Sequence, residues 1–477
     1  MKGTTPAYFG PGFQINQEEK EIPDLTVTGN FPKWISGDLI RNGPGLVNAD
    51  KPMRHWFDGL AMLHKFSIQN GRVGYQSKFL DCMAYQSVQQ TGKITYADFA
   101  TDPCRSLFGK IQTVFNPDPK ITDSAKVNVG KVGEDMYALG EPLMQIRIDP
   151  VTLRSLGVFH FGQNPGNRMT TAHPHYDHQE AYNLVVQYGP INFYKIYGFN
   201  ESVRELASIP VREPAYMHSF GMSENFFIIS EFPLVVQSLK LALRLRPFIE
   251  NFKWKPDQGT RFIIIDRTTG KVLFKVKTES FFGFHHVNAC ERNGRLVVDM
   301  VNYADSAIID HYYKHRLESP EGSLPKGRLE RFEFDVAAQR LERREILSET
   351  CIELPHIHYP SMHGNPDYRF VYGCGINESK PNEFYNQIVK VDIQTGLSTV
   401  WFSADCYPGE PVFIPHPDRN SEDHGVLLSV VLNAHTGKSF LLLLNSADLT
   451  EMARAELPHS ILFGYHGLFN SVTKTYA

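Results

Sequence analysis

The sequence predicts an all-β protein, a seven-bladed β-propeller, and three observations carry that prediction. Short runs rich in Val, Ile, Phe and Tyr recur along the 477 residues, punctuated by Gly, Asn, Asp and Pro, which is the pattern of strands broken by tight turns. One corner recurs seven times: an apolar strand end, a polar residue, a tight turn and a returning strand. No Gly/Ser tract, charge block or low-complexity linker interrupts the chain, so residues 1–477 read as one domain of repetitive architecture.

The corners fall, in order, at Phe66–Gly71, Ile148–Thr152, Tyr197–Glu201, Ile265–Gly270, Phe334–Ala337, Val391–Gly396 and Leu444–Asp448. Their spacing of roughly 50 to 80 residues suits a blade of four strands. A single Asp-x-x-Thr-Gly hairpin occurs in many β-proteins. Seven at this interval point to seven blades.

Lys plus Arg total 48 against 52 Asp plus Glu, a formal net charge of −4. That balance excludes nucleic acid as the main partner, because phosphate neutralisation needs a basic surface. The 33 Phe and 21 Tyr, against 4 Trp, predict much interior aromatic surface, as core or as the lining of an apolar ligand tunnel. Six cysteines are scattered without a C-x-x-C pair, which gives neither a common zinc spacing nor a disulfide framework. The N-terminus lacks an apolar signal core and no run of about 18 apolar residues occurs, so a cytoplasmic location is expected. No feature points to a protein partner.

A propeller changes the meaning of scattered histidines, because the innermost strands of all blades converge on one axis. His173, His218, His285 and His466 each sit among small, aromatic or turn residues, in different intervals between corners. Taken singly, a core histidine bonded to the backbone is the ordinary reading. Four inward imidazoles form an all-nitrogen site suited to Fe, Zn, Cu or Ni. At Phe284-His285-His286-Val287, the two adjacent histidines cannot face the same side of a strand. Glu141, Glu353 and Glu410 lie in apolar settings where an unpaired charge is costly, which favours a place behind metal-bound imidazoles over a turn cap in solvent. Glu180 is the weaker candidate, having polar neighbours.

The motifs resemble those of the carotenoid cleavage oxygenases, from end to end of the chain and in family order. The resemblance rests on Arg41-Asn42-Gly43-Pro44-Gly45, His55-Trp56-Phe57-Asp58-Gly59, Asp102-Pro103-Cys104, Val127-Asn128-Val129 with Gly133-Glu134-Asp135, Thr171-Ala172-His173-Pro174-His175, His218-Ser219-Phe220-Gly221, Phe284-His285-His286-Val287-Asn288-Ala289 and His466-Gly467-Leu468-Phe469. It is greatest to the animal β-carotene oxygenases and the retinoid isomerohydrolase of the retinal pigment epithelium. It implies a seven-bladed propeller whose loop and helix cap encloses an apolar tunnel to one Fe(II). His173, His218, His285 and His466 would be the ligands. Glu141, Glu353 and Glu410 would each bond one of them, His173 being without a glutamate, and His175 and His286 would be structural. Val127 falls where some members carry a Thr that crowds an open iron position; an ordinary strand valine is the other reading.

The implied reaction adds both atoms of O2 across a double bond of a carotenoid or apocarotenoid, giving two carbonyl products, with no acid or base residue needed. β-Carotene cut at its central bond to retinal is one such case. Stilbene-cleaving relatives carry a Tyr soon after a Leu-Phe-Gly motif and a Lys just before the first glutamate. Here Ile111 follows Leu107-Phe108-Gly109-Lys110, and Gly140 precedes Glu141, so an apolar substrate end is expected. The alternative of a retinoid isomerohydrolase meets Val298-Asp299-Met300-Val301 where that branch has paired cysteines. Residues 233–254 interleave Leu, Val and Phe with Lys240, Arg244, Arg246 and Lys253 and are bounded by Trp254, which predicts an interfacial helix for peripheral membrane contact; a strand or buried helix is the competing reading. Cys104 matches a position that can be lipidated in animal relatives, a free buried thiol being the simpler reading.

Overall fold

In the computed structural model, residues 9–14, 16–50, 52–102, 122–159, 168–177, 180–200, 202–243, 246–319 and 323–471 are described. Seven antiparallel sheets form the seven blades of a propeller, with one two-stranded ribbon besides. From the axis outward, blade 1 holds Gly467–Ser471, Gly37–Gly45, Leu60–Gln69, Arg72–Phe79 and Lys20–Ile22. Blade 2 follows with Asn128–Val132, Asp135–Leu139, Gln145–Ile148 and Ser155–Phe159. In blade 3 both Arg168–Thr170 and His175–Asp177 pair with Glu180–Gln187, which is followed by Asn192–Phe199 and Val203–Val211. Blades 4, 5 and 6 begin at the axis with Gly221–Met222, His286–Arg292 and Glu353–His356. Blade 7 carries Cys406–Pro408 and Val412–Pro415 at the axis and ends outermost on Thr26–Gly29. Strands from near the two chain ends thus complete neighbouring blades.

All seven predicted corners are the hairpin between the third and fourth strand of a blade. The polar residue ties the turn down by taking backbone N–H groups. Asp149 Oδ1 accepts from Val151 N at 2.8 Å, Asp266 Oδ1 from Thr269 N at 2.7 Å and Asp335 Oδ1 from Ala338 N at 2.9 Å, the bonding of an Asx turn. At Gly270 the backbone has φ 67°, and a Cβ there would collide with the Leu206 carbonyl of the neighbouring blade. Only glycine fits.

Middle strands read as continuous apolar runs because blades press on both of their faces. Lys438–Asn445 is buried at every position from Ser439 to Leu444. Outer strands such as Val203–Val211 alternate buried and exposed residues, since one side meets water. Long insertions between strands carry most of the described helices, over 80–102 and 122–127 between blades 1 and 2, 232–243 and 246–259 within blade 4, and 303–319 and 323–327 within blade 5. Their described helices are short, the longest being Met83–Thr91.

The interfacial helix expected over 233–254 does not form. Leu234–Val235 pairs with Lys253–Trp254 as the two-stranded ribbon, and the helix at its tip runs only Ser238–Leu243. Leu234, Val235, Val236, Ile249 and Phe252 are buried in the core. The alternating apolar residues were thus satisfied by the protein's own interior, leaving Leu239 exposed. No helix among the described residues is long and apolar enough to cross a membrane. Cys82, Cys290, Cys351, Cys374 and Cys406 are free and buried; Cys104 and the Leu107–Ile111 stretch lie outside the described residues.

Candidate metal centre

Each histidine of the quartet stands at the axial start of a blade. His466 immediately precedes the inner strand of blade 1 and His285 that of blade 5; His218 lies three residues before blade 4, and His173 between the two inner strands of blade 3. Their ligating nitrogens lie within 4.8 Å of one another. His285 and His286 diverge as strand geometry requires. His285 turns to the axis, whereas His286 bonds Ser219 Oγ through Nδ1 and Ser230 Oγ through Nε2, both at 2.8 Å. His175 is likewise committed, to Tyr359 Oη at 2.9 Å and the Phe220 carbonyl at 2.8 Å.

The remaining three blades supply the carboxylates. His218 Nδ1 meets Glu141 at 2.7 Å, His466 Nδ1 meets Glu410 at 2.8 Å and His285 Nδ1 meets Glu353 at 3.1 Å. His173 has no carboxylate partner among the described residues. Every blade therefore contributes one residue, four imidazoles and three glutamates. Glu353 sits where the inner strand of blade 6 slips register, between Glu353 and His356. Leu354 is held there at φ 50° and its N–H donates to Glu353 Oε2 at 3.0 Å. A bulge of this kind re-aims a side chain at a site.

These bonds fix the tautomers. The Nδ1–H groups of His218, His285 and His466 donate to carboxylates, which leaves their Nε2 lone pairs facing the axis. Burial holds His173, His218 and His466 below the usual imidazole range, so they stay neutral. His285 Nε2 and His466 Nε2 then face each other at 3.2 Å, as do those of His173 and His218. Ligands about 2.1 Å from a shared ion lie about 3 Å apart when adjacent, so the donor set fits a metal ion in size and chemistry.

The carboxylates differ in their own partners. Glu141 also takes the Tyr216 hydroxyl at 2.6 Å. Glu410 is paired with the Arg41 guanidinium, whose other arm donates to the Tyr465 carbonyl at 2.7 Å. Glu353 Oε1 is buried with no partner among the described residues. The sequence reading missed Arg41 as a functional residue, although its motif was visible. Glu180 is not part of the centre; it pairs with Arg204 and the Tyr182 hydroxyl.

A cavity opens beside His218, His285 and His466, walled by Trp56, Phe57, Phe284, Tyr312 and Tyr465, with Val127 in its lining. Val127 also meets the centre through its backbone, its carbonyl accepting the His466 N–H at 3.2 Å. The expectation of a bare apolar lining is corrected at one wall. Asp98 and Lys126 both line the cavity and form a buried ion pair. Their signal in the sequence was weak, since neither belongs to a polar motif.

Fold and site together define a class, β-propeller proteins with an all-imidazole metal site on the axis. Comparison places the chain more narrowly. The family model described as retinal pigment epithelial membrane protein matches residues 13–471, and the chain belongs to that family. It is 32% identical to the carotenoid isomerooxygenase of Galleria mellonella, over 95% of this chain and 94% of that protein. It is also 32% identical to the human β,β-carotene 15,15'-dioxygenase, over 95% and 93%. A mutant of the Synechocystis apocarotenoid oxygenase superposes with a TM-score of 0.87 at 27% identity, covering 99% of this chain and 100% of that one. A cobalt-substituted form of the Synechocystis enzyme gives 0.86 at 27%, covering 98% of each.

Proposed function

We propose that this chain is an Fe(II)-dependent dioxygenase that cleaves a carbon–carbon double bond of a carotenoid or apocarotenoid. His173, His218, His285 and His466 hold the iron, and Glu141, Glu353 and Glu410 orient three of them. The observation that carries the reading is the 3.2 Å approach of Nε2 atoms whose Nδ1–H groups are already donated to carboxylates. Two lone pairs at that distance repel unless a cation lies between them. Relatives named as carotenoid dioxygenases and an apocarotenoid oxygenase match over nearly their whole length, which supports iron and a polyene.

Bound iron would supply a place for O2 to react beside an electron-rich double bond. The chain's residues do the rest. Neutral imidazoles leave the ion's charge intact, and the carboxylates behind them offset it. Phe57, Phe284, Tyr312 and Tyr465 give the polyene flat apolar walls and exclude water. Val127 narrows the cavity next to His466. No side chain is required to move a proton.

Residues 1–477 work as one domain, consistent with strands near both ends completing adjacent blades. The substrate's solubility favours a protein that acts in the cytoplasm against a membrane surface. Leu239 on the ribbon tip and Ile191 are both exposed, and the side chains of the adjoining residues Ser238 and Asn192 bond each other. That pair is the better anchor than a helix over 233–254.

The test is incubation of iron-loaded protein with β-carotene, β-apo-8'-carotenal, resveratrol and a retinyl ester, under labelled oxygen and without oxygen, with products identified by mass spectrometry. Paired carbonyl products from a polyene, each bearing one labelled atom, are expected. Turnover of resveratrol alone, or oxygen-independent isomerisation of a retinyl ester, would overturn the assignment.

A further inference from the structure

The ion pair in the cavity wall has no part in the centre and asks for its own explanation. Lys126 is buried, and the Asp98 side chain is only 9% exposed. Asp98 is fully engaged: Oδ1 takes Phe99 N–H at 2.9 Å and Lys126 Nζ at 2.6 Å, and Oδ2 takes Gly59 N–H at 2.9 Å and Lys126 Nζ at 2.7 Å. Lys126 is not. An ammonium has three donors, and no acceptor among the described residues takes the third. It stands at a cavity shared with His218, His285 and His466.

The lining also includes Thr122 and Ser124, among aromatic side chains such as Phe57, Phe99 and Tyr312. Ser124 is occupied within the protein, its oxygen accepting Ala61 N–H at 2.6 Å. The cavity therefore combines a mostly apolar lining with one cationic donor that has no third acceptor among the described residues. A donor left without an acceptor in such a place costs free energy whenever a wholly apolar molecule fills the space. An oxygen atom on the ligand removes that cost.

We propose that Lys126, held by Asp98, is a specificity residue that takes the oxygen of an oxygenated polyene end, a carbonyl or hydroxyl. This deepens the dioxygenase reading and rests on it: the substrate class becomes apocarotenoids with an oxygen-bearing end, in preference to hydrocarbon carotenes. It also supplies the polar handle that was absent at the positions used by stilbene-cleaving relatives. The pair adds no net charge to the cavity, so an anionic end gains less than a neutral acceptor.

The test is equilibrium binding without oxygen, using β-apo-8'-carotenal and a matched polyene in which a methyl group replaces the aldehyde. The metal-loaded wild type is expected to bind the aldehyde about tenfold more tightly, the scale of one hydrogen bond from a charged donor. In Lys126→Met/Asp98→Asn, which removes both charges together, that ratio should fall to near one. In Lys126→Arg, which keeps the pair, it should persist. A wild-type ratio of one or less, or a ratio that survives in the double variant, overturns the proposal. The wild-type measurement does so even if the double variant fails to fold. Because no turnover is involved, failure of the cleavage reaction would be seen separately.

Discussion

Arg41 and Glu410 are buried, their side chains 6% and 5% exposed, and each satisfies the other. Glu410 in turn holds His466 and takes the Gly467 N–H at 3.1 Å. One guanidinium thus fixes both the carboxylate and the Tyr465 carbonyl beside the histidine. Removing one member of a buried pair leaves an uncompensated charge, which costs about 3 to 5 kcal/mol. Arg41→Met is expected to lose that much stability in denaturant titrations and to weaken metal affinity measured by chelator competition. Arg41→Met/Glu410→Gln should recover most of the stability but not the affinity, because His466 no longer has an anionic partner.

At the scale of elements, the corners and the ribbon each yield a prediction. In the blade 6 corner, Arg369 is bidentate on Asp392, at 3.0 and 2.6 Å. That guanidinium, helped by the Gln394 N–H and the Thr395 side chain, lowers the Asp392 carboxyl to about 2. A depressed carboxyl contributes stability that is fully present above its unfolded value, about 3.9, and is lost as pH falls through about 2. The stability gap between wild type and Asp392→Asn should therefore be constant from neutral pH down to about 5 and close toward pH 2, as read from urea titrations. At the ribbon, Leu239→Glu with Ile191→Glu should reduce sedimentation with anionic vesicles several-fold without changing the melting temperature, since both side chains are exposed.

The whole molecule is drawn together at the axis. Four blades give imidazoles and three give carboxylates, so an ion bound there couples every blade to its neighbours. Metal that binds only the folded state stabilises it by mass action, about 2.7 kcal/mol at one hundred times the dissociation constant. Chelator treatment should lower the melting temperature, and Fe(II) should restore it in a concentration-dependent way. His285→Ala should abolish that dependence. At this scale the sequence was most legible. Turn chemistry is local, so Asp149, Asp266, Asp335 and Asp392 marked their corners wherever the blades ended up. The histidines were legible as a set because each sat among residues that do not solvate a side chain.

The sequence alone determined the number of blades, since seven polar corners recur at blade spacing, and the identity of the residues that meet at the axis. Only the tertiary structure decided what those residues touch. Arg41 reaches Glu410 across 369 positions, and Lys126 faces a cavity whose walls come from several insertions. It also decided that Leu234, Val235, Val236, Ile249 and Phe252 would be buried in the core rather than offered on one helix. The physical reason is the same in each case. Turns and strand alternation follow from bonds within a few residues, whereas a buried charge finds its partner only once distant blades have closed around it.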